Sequence, residues 1–132
     1  MGTEIERKFL VYESNWRENV TPTHFRQGYL SVGPPVSVRV RISEASAILN
    51  IKQSTLEIQR DEFEYEIPLD DARHMLDNLR VGHTVEKRRF VIEVDGLRWE
   101  VDEFLGENSG LVIAEIELER VDQVFTRPVM LA

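Results

Sequence analysis

Cysteine is absent from the 132-residue chain. That removes a disulfide framework and any thiolate metal site, so a metal here would be held by carboxylates or histidines, and oxygen ligands favour magnesium, manganese or calcium. Histidine is scarce as well: His24, His74 and His83 show no pairing at metal-ligand spacing and read as structural residues. No apolar run approaches membrane-spanning length and no basic-then-apolar leader opens the chain, so no membrane partner is expected and a cytoplasmic location is the default. A surplus of bases is also missing. Sixteen Lys and Arg stand against 24 Asp and Glu, a formal net charge of -8, which argues against a broad nucleic-acid surface but leaves room for a local basic pocket that binds phosphate. Low-complexity segments and repeats of fixed period are absent too.

What is present is alternation. Hydrophobic content of 42% beside 30% charged residues is that of a folded globular protein, and residues 1–132 read as one domain with one core. Glu4-Ile5-Glu6-Arg7-Lys8-Phe9 places Glu4, Glu6 and Lys8 on one face of a strand spanning about residues 3 to 11, and Ile5, Phe9 and Val11 on the other. A connection follows in which Ser14 caps a short helical turn carrying Trp16 before Pro22. Residues 25 to 31 read as a second strand whose internal Gly28 marks a bulge, a bend or a close backbone approach. Residues 37–43 and 47–54 form a hairpin and residues 61–67 a fifth strand, closed by Pro68. The one helix expected spans Asp70 to about Arg80, with Ala72, Met75, Leu76 and Leu79 at helical spacing and Gly82 as its stop. Residues 85–94 and 97–105 are strands joined by Asp95-Gly96, the strongest hairpin signal in the chain, and residues 111–120 make the eighth strand.

Eight mostly antiparallel strands and one main helix make an α+β, mainly β fold and suggest a closed or nearly closed β-barrel. The strands repeat one device: Arg39 and Arg41, Lys52, Glu62 and Glu64, Lys87 and Arg89, Glu100 and Asp102, and Glu115 and Glu117 each lie on a charged face opposite an apolar one. Most sheets turn such a face to water. The other arrangement is a charged interior, tenable only if it holds water, metal ions and a highly charged ligand, because burying unpaired charges costs several kcal/mol each. Trp16, Trp99 and Met75 read as packing residues rather than a base-stacking platform.

Taken together, the motifs carry a family likeness. Glu4-Ile5-Glu6-Arg7-Lys8 resembles the Glu-x-Glu-x-Lys signature of the CYTH domain proteins, also called triphosphate tunnel metalloenzymes. Arg26-Gln27-Gly28-Tyr29-Leu30, Arg39-Val40-Arg41, Lys52, Arg60-Asp61-Glu62-Phe63-Glu64, Glu86-Lys87-Arg88-Arg89-Phe90, Asp102 and Glu115-Ile116-Glu117 follow in the family's order. The resemblance implies an eight-stranded antiparallel tunnel that binds triphosphate and a divalent metal, Mg2+ or Mn2+. It departs at the end. Relatives continue past the position of Pro128 with a Glu-Val-Thr-like segment, a basic residue, Tyr and Asn, and a final helix, whereas this sequence stops at Ala132. The expectation that follows is a tunnel with all its strands but one open mouth, of lowered activity and steeper salt dependence, for which a neighbouring copy in a homodimer would be the compensating cover.

A triphosphate needs cations spread along a groove, and Arg39, Arg41, Lys52, Lys87 and Arg89 supply that rail. Hydrolysis also needs a hard cation, for which Glu4, Glu6, Glu115 and Glu117 are the expected ligands, on strands that adjoin if the barrel closes. Glu62, Glu64 and Asp102 are assigned to a second metal or to orienting water and bases. Lys8 is either a phosphate contact or a counterion that keeps Glu4 and Glu6 ionised. Glu4, Glu6, Lys8, Lys52 and Lys87 are thus the residues expected to carry catalysis. The leading function is metal-dependent hydrolysis of inorganic triphosphate, with nucleoside triphosphates as alternative substrates. An adenylate cyclase of the same fold, a triphosphate- or polyphosphate-binding module without turnover, and a small-ligand barrel with an exposed charged sheet stand beside it.

Overall fold

The alternating runs form eight strands in the computed structural model, which describes residues 2–11, 15–17 and 20–128. They are β1 (Thr3–Leu10), β2 (Thr23–Ser31), β3 (Val36–Ile42), β4 (Ala47–Gln53), β5 (Gln59–Ile67), β6 (Val81–Val94), β7 (Leu97–Phe104) and β8 (Val112–Glu117), with α1 (Leu69–Asn78) between β5 and β6. A short 3-10 turn, Asn15–Arg17, carries Trp16 as expected, whereas its cap Ser14 lies outside the described residues. All neighbours are antiparallel and run in the order β1-β5-β4-β3-β2-β6-β7-β8, with β8 paired back to β1, so the barrel is closed. Closure satisfies the edge groups that an open sheet would expose.

Local chemistry sets the corners. Asp95 at φ 51 and Gly96 at φ 77 make the two-residue turn between β6 and β7, both in the left-handed region that matches strand twist. Between β3 and β4 the amide of Ser43 donates to the carbonyl of Ser46 at 2.9 Å. Gly28 is both the bulge and the close approach read from the sequence. The pairing of β2 with β6 shifts between Gln27 and Tyr29, and a methyl at Gly28 would stand 3.0 Å from Leu76 Cδ2 on α1.

The pleat then sorts the side chains, and it puts the apolar core outside the barrel. Ile5, Phe90, Trp99, Val101, Ala114 and Ile116 form one cluster against the outer faces of β1, β6, β7 and β8, covered by Trp16, Val20 and Phe125. Trp99 is fully buried, and Trp16 meets Phe90 edge-on at 5.0 Å, so both tryptophans pack as expected. The second cluster lies under α1, where Ala72 and Leu76, with Met75 beside them, close on Val40 and Ala47. The opposite face of every strand is left for the interior of the barrel.

Several boundaries differ from the sequence reading. The helix ends at Asn78, and the guanidinium of Arg80, not Gly82, terminates it by donating to the Leu76 carbonyl at 2.7 Å. Gly82, at φ 70, instead sits inside β6, which starts at Val81 because Tyr29 of β2 extends the pairing that far. At the other end β8 stops at Glu117, and the Leu118 amide adds one last bond in the β1–β8 register, to the Ile5 carbonyl at 2.7 Å. Among the described residues no helix is long and apolar enough to cross a membrane.

Candidate active site

With the core outside, the barrel encloses a polar cavity of about 360 Å³. Glu4, Glu6 and Lys8 of β1, Arg39 and Arg41 of β3, Lys52 of β4, Glu62 and Glu64 of β5, Lys87 and Arg89 of β6, and Glu115 and Glu117 of β8 all line it. The choice between an outward and an inward charged face therefore falls to the interior. Strand order distributes these charges. Most acids come from β8, β1 and β5, which are contiguous, and Arg39, Arg41, Lys87 and Arg89 come from β3 and β6, which flank β2 on the opposite side of the closed ring. The lumen thus has an acid wall facing a basic wall. Lys52 on β4 and the pair Arg98 and Glu100 on β7 stand at the two seams, and Lys8 is the exception, a base on the acid wall.

On the acid wall, register pairs Glu6 with Glu117 and Lys8 with Glu115. Lys8 Nζ lies 3.5 Å from Glu6 and 3.7 Å from Glu115 with its side chain half exposed. Lys52 Nζ bridges Glu4 at 3.1 Å and Glu62 at 3.3 Å, and Asn50 donates to Glu62 at 3.0 Å. Burial, then the charges of Glu115 and Glu4, pushes the Glu6 carboxyl up to about 7. Burial followed by the neighbouring Glu62 raises Glu4 as well. Burial also works against charge on Glu62, but the Asn50 hydrogen bond and the Lys52 ammonium hold that carboxyl below its usual range. Burial and the charges of the surrounding acids raise Glu117.

Basic-wall side chains are anchored from beneath. Asp102, 1% exposed, accepts from Lys87 Nζ at 2.7 Å and from two nitrogens of Arg89 at 2.8 and 2.9 Å. Both its oxygens are occupied, and it does not line the cavity. Of its two expected roles, ligand to a second metal or support of water and bases, this placement suits the second. Burial alone would raise the Asp102 carboxyl, but the Arg89 hydrogen bonds and the charges of Lys87 and Arg89 hold it below its usual range. Among the described residues Arg39 has no ion-pair partner, and its Nε is buried without a hydrogen-bond partner.

The four expected metal ligands, Glu4, Glu6, Glu115 and Glu117, all line the cavity, Glu4 buried and Glu117 exposed. Yet among the described residues no three acid or histidine side chains are arranged to hold an ion. Cations already stand among these carboxylates: Lys8 lies between Glu6 and Glu115, and Lys52 and Arg60 pair with Glu4. The donor chemistry nevertheless fits a hard divalent cation. The acids are all oxygen ligands, Glu6 Oε1 is buried with no hydrogen-bond partner, and the like charges that raise Glu6 and Glu117 are what a cation would relieve. His24 pairs with Glu86 at 3.1 Å and His74 meets Asn78 at 3.3 Å; neither they nor His83 line the cavity.

Several participants carried no assignment from the sequence. Arg60 Nε donates to Glu4 at 3.2 Å, and its place was readable as the step before Glu62 on the strand's even face. Glu100 accepts from Arg89 at 3.1 Å, and Arg98 lies 3.5 Å from it; both share the parity of Asp102. Asn50 is betrayed by no charge at all.

Comparison with known proteins agrees with this architecture. An inorganic triphosphatase of Acetivibrio thermocellus is 44% identical over 128 residues, covering 97% of this chain and 82% of the relative. One from Nitrosomonas europaea is 34% identical over 130 residues, covering 96% and 84%. The crystal structure of the inorganic triphosphatase NE1496 superposes with a TM-score of 0.64 at 31% identity, covering 99% of this chain and 85% of that one. A putative adenylate cyclase from Bacillus halodurans, 17% identical, covers 98% and 97% at a TM-score of 0.69 and shares the fold alone. The CYTH domain matches residues 2–127. A closed eight-stranded barrel with its motifs in order, and a domain match over nearly all of its length, establish that the chain belongs to the CYTH domain family.

Proposed function

We propose that this protein hydrolyses inorganic triphosphate with the help of a divalent cation, Mg2+ or Mn2+. One observation carries the reading: the lumen sets an acid wall directly across from a basic wall. A polyanion alone would call for bases only, and a metal alone for acids only. A triphosphate bound together with a cation calls for both, on separate surfaces. The names of the two curated relatives support the same substrate.

Arg39, Arg41, Lys87 and Arg89 take the phosphate oxygens, Arg39 with a buried nitrogen still free to donate. Glu6, Glu115 and Glu117, with Glu4, would hold the cation, which when bound neutralises phosphate oxygens and acidifies water. Lys8, 3.5 Å from Glu6 and 3.7 Å from Glu115, serves as their counterion in this reading. Lys52, at the seam between the walls, fixes Glu4 and Glu62 and reaches the phosphates from there, while Glu64 offsets Arg41 at 3.9 Å. Asp102 positions Lys87 and Arg89 without touching substrate. Water attacks a terminal phosphorus, the anhydride P–O bond breaks, and orthophosphate and pyrophosphate leave; the basic wall holds the pyrophosphate oxygens as their charge grows.

Phosphate release from tripolyphosphate, ATP and thiamine triphosphate, each with and without added Mg2+ or Mn2+, tests this. The expected result is metal-dependent release, fastest from tripolyphosphate. Release of pyrophosphate with cyclic AMP from ATP, or no turnover of any of the three, overturns it.

A further inference from the structure

Among the described residues that line the lumen two are apolar, Phe25 and Val91. Phe25 is in the middle of the basic wall, on β2, between the strands that carry Arg41 and Arg89. Its ring centroid is 4.5 Å from the guanidinium carbon of Arg41 and 5.3 Å from that of Arg89. The two arginines are held very differently otherwise. Arg89 is gripped by Asp102 at 2.8 and 2.9 Å and by Glu100 at 3.1 Å. Arg41 has one ion pair, at 3.9 Å, to a Glu64 whose side chain is 42% exposed. Burial and the like charges of Arg89 and Arg39 act against Arg41 in its place.

A carboxylate at residue 25 would hold Arg41 firmly but would neutralise the charge that phosphates need. An aliphatic side chain would not hold it. The face of an aromatic ring attracts a guanidinium electrostatically without supplying a counter-charge, and does so more strongly where water is excluded. We propose that Phe25 is a positioning residue that pins the Arg41 guanidinium to the basic wall and keeps it available to phosphate. The phosphate part of this role rests on the triphosphate reading above; the Phe25–Arg41 contact does not.

Two measurements separate them. In the ligand-free protein the Arg41 Nε–H resonance should be displaced by the ring current and ordered, and Phe25→Leu should return it to an ordinary, mobile position. Calorimetric titration with tripolyphosphate should show Phe25→Leu binding about threefold to thirtyfold more weakly, Phe25→Trp binding as well as wild type or better, and Phe25→Leu adding nothing in an Arg41→Ala background. A ring that merely fills space predicts the reverse order, with leucine tolerated and tryptophan harmful. The proposal is overturned by that reverse order, by an equal loss with and without Arg41, or by an Arg41 resonance indifferent to residue 25. A wild type that binds no triphosphate refutes the functional reading and the phosphate role together, while the resonance still decides whether the ring holds Arg41.

Discussion

Replacing Asp102 by Asn keeps the shape of the side chain and removes its charge. The carboxylate is 1% exposed and accepts from Lys87 at 2.7 Å and from Arg89 at 2.8 and 2.9 Å. An amide keeps one acceptor but turns an NH2 toward cationic donors, leaving two buried bases short of a counter-charge. Removing one member of a buried ion pair costs about 3–5 kcal/mol. With an unfolding entropy of about 2.1 cal/mol/K per residue, 132 residues give about 0.28 kcal/mol/K, so the midpoint should fall by about 11–18 °C. Calorimetry at neutral pH checks this. The difference should also have a pH signature: because the native Asp102 carboxyl titrates below its usual range, its stabilisation is present above the ordinary carboxylate pKa and is lost as pH falls through the native value. The wild type and Asp102→Asn should therefore converge in acid. A midpoint within about 4 °C of wild type at neutral pH, roughly 1 kcal/mol, would refute the claim that Asp102 supports the basic wall.

Lys52→Ala should weaken tripolyphosphate binding by about 1.5–3 kcal/mol in a calorimetric titration, since it removes a charged donor that also fixes Glu4 and Glu62; unchanged affinity would remove Lys52 from the site. Glu6 gives a pH effect of opposite sign to Asp102. Its native carboxyl is raised to about 7, so above the unfolded value the unfolded chain sheds that proton first, and metal-free stability should fall as pH rises toward about 7. Glu6→Gln should abolish that fall in thermal melts recorded across the range, and a variant with the wild-type slope would show that Glu6 is not its source. Divalent-cation affinity should rise over the same interval as the proton leaves.

Strands were legible because period two survives in almost every one, and Asp95-Gly96 announced its turn. Their ends were less so. Gly82 looks like a helix stop by position, but its backbone is used inside β6, and the real terminator, Arg80, acts through a side-chain bond that spacing does not reveal. Parity put Asp102 beside Glu100 on an inward face, yet parity carries no depth, and depth separates a cavity-facing acid from one buried under Lys87 and Arg89. The opposition of acid and basic walls was invisible for a different reason: it depends on strand order around the ring, where β5 follows β1 and β6 follows β2. Phe25 drew no notice because a lone aromatic in a strand is ordinary until its two arginine neighbours are known.

The division of the lumen into two walls is tested most directly by titrating Mn2+ and following its paramagnetic resonance signal in three proteins: the wild type, Glu115→Gln/Glu117→Gln and Arg39→Ala/Arg41→Ala. Loss of Mn2+ binding in the first double variant, with wild-type binding kept in the second, is the expected result. Equal Mn2+ binding by all three would contradict the account.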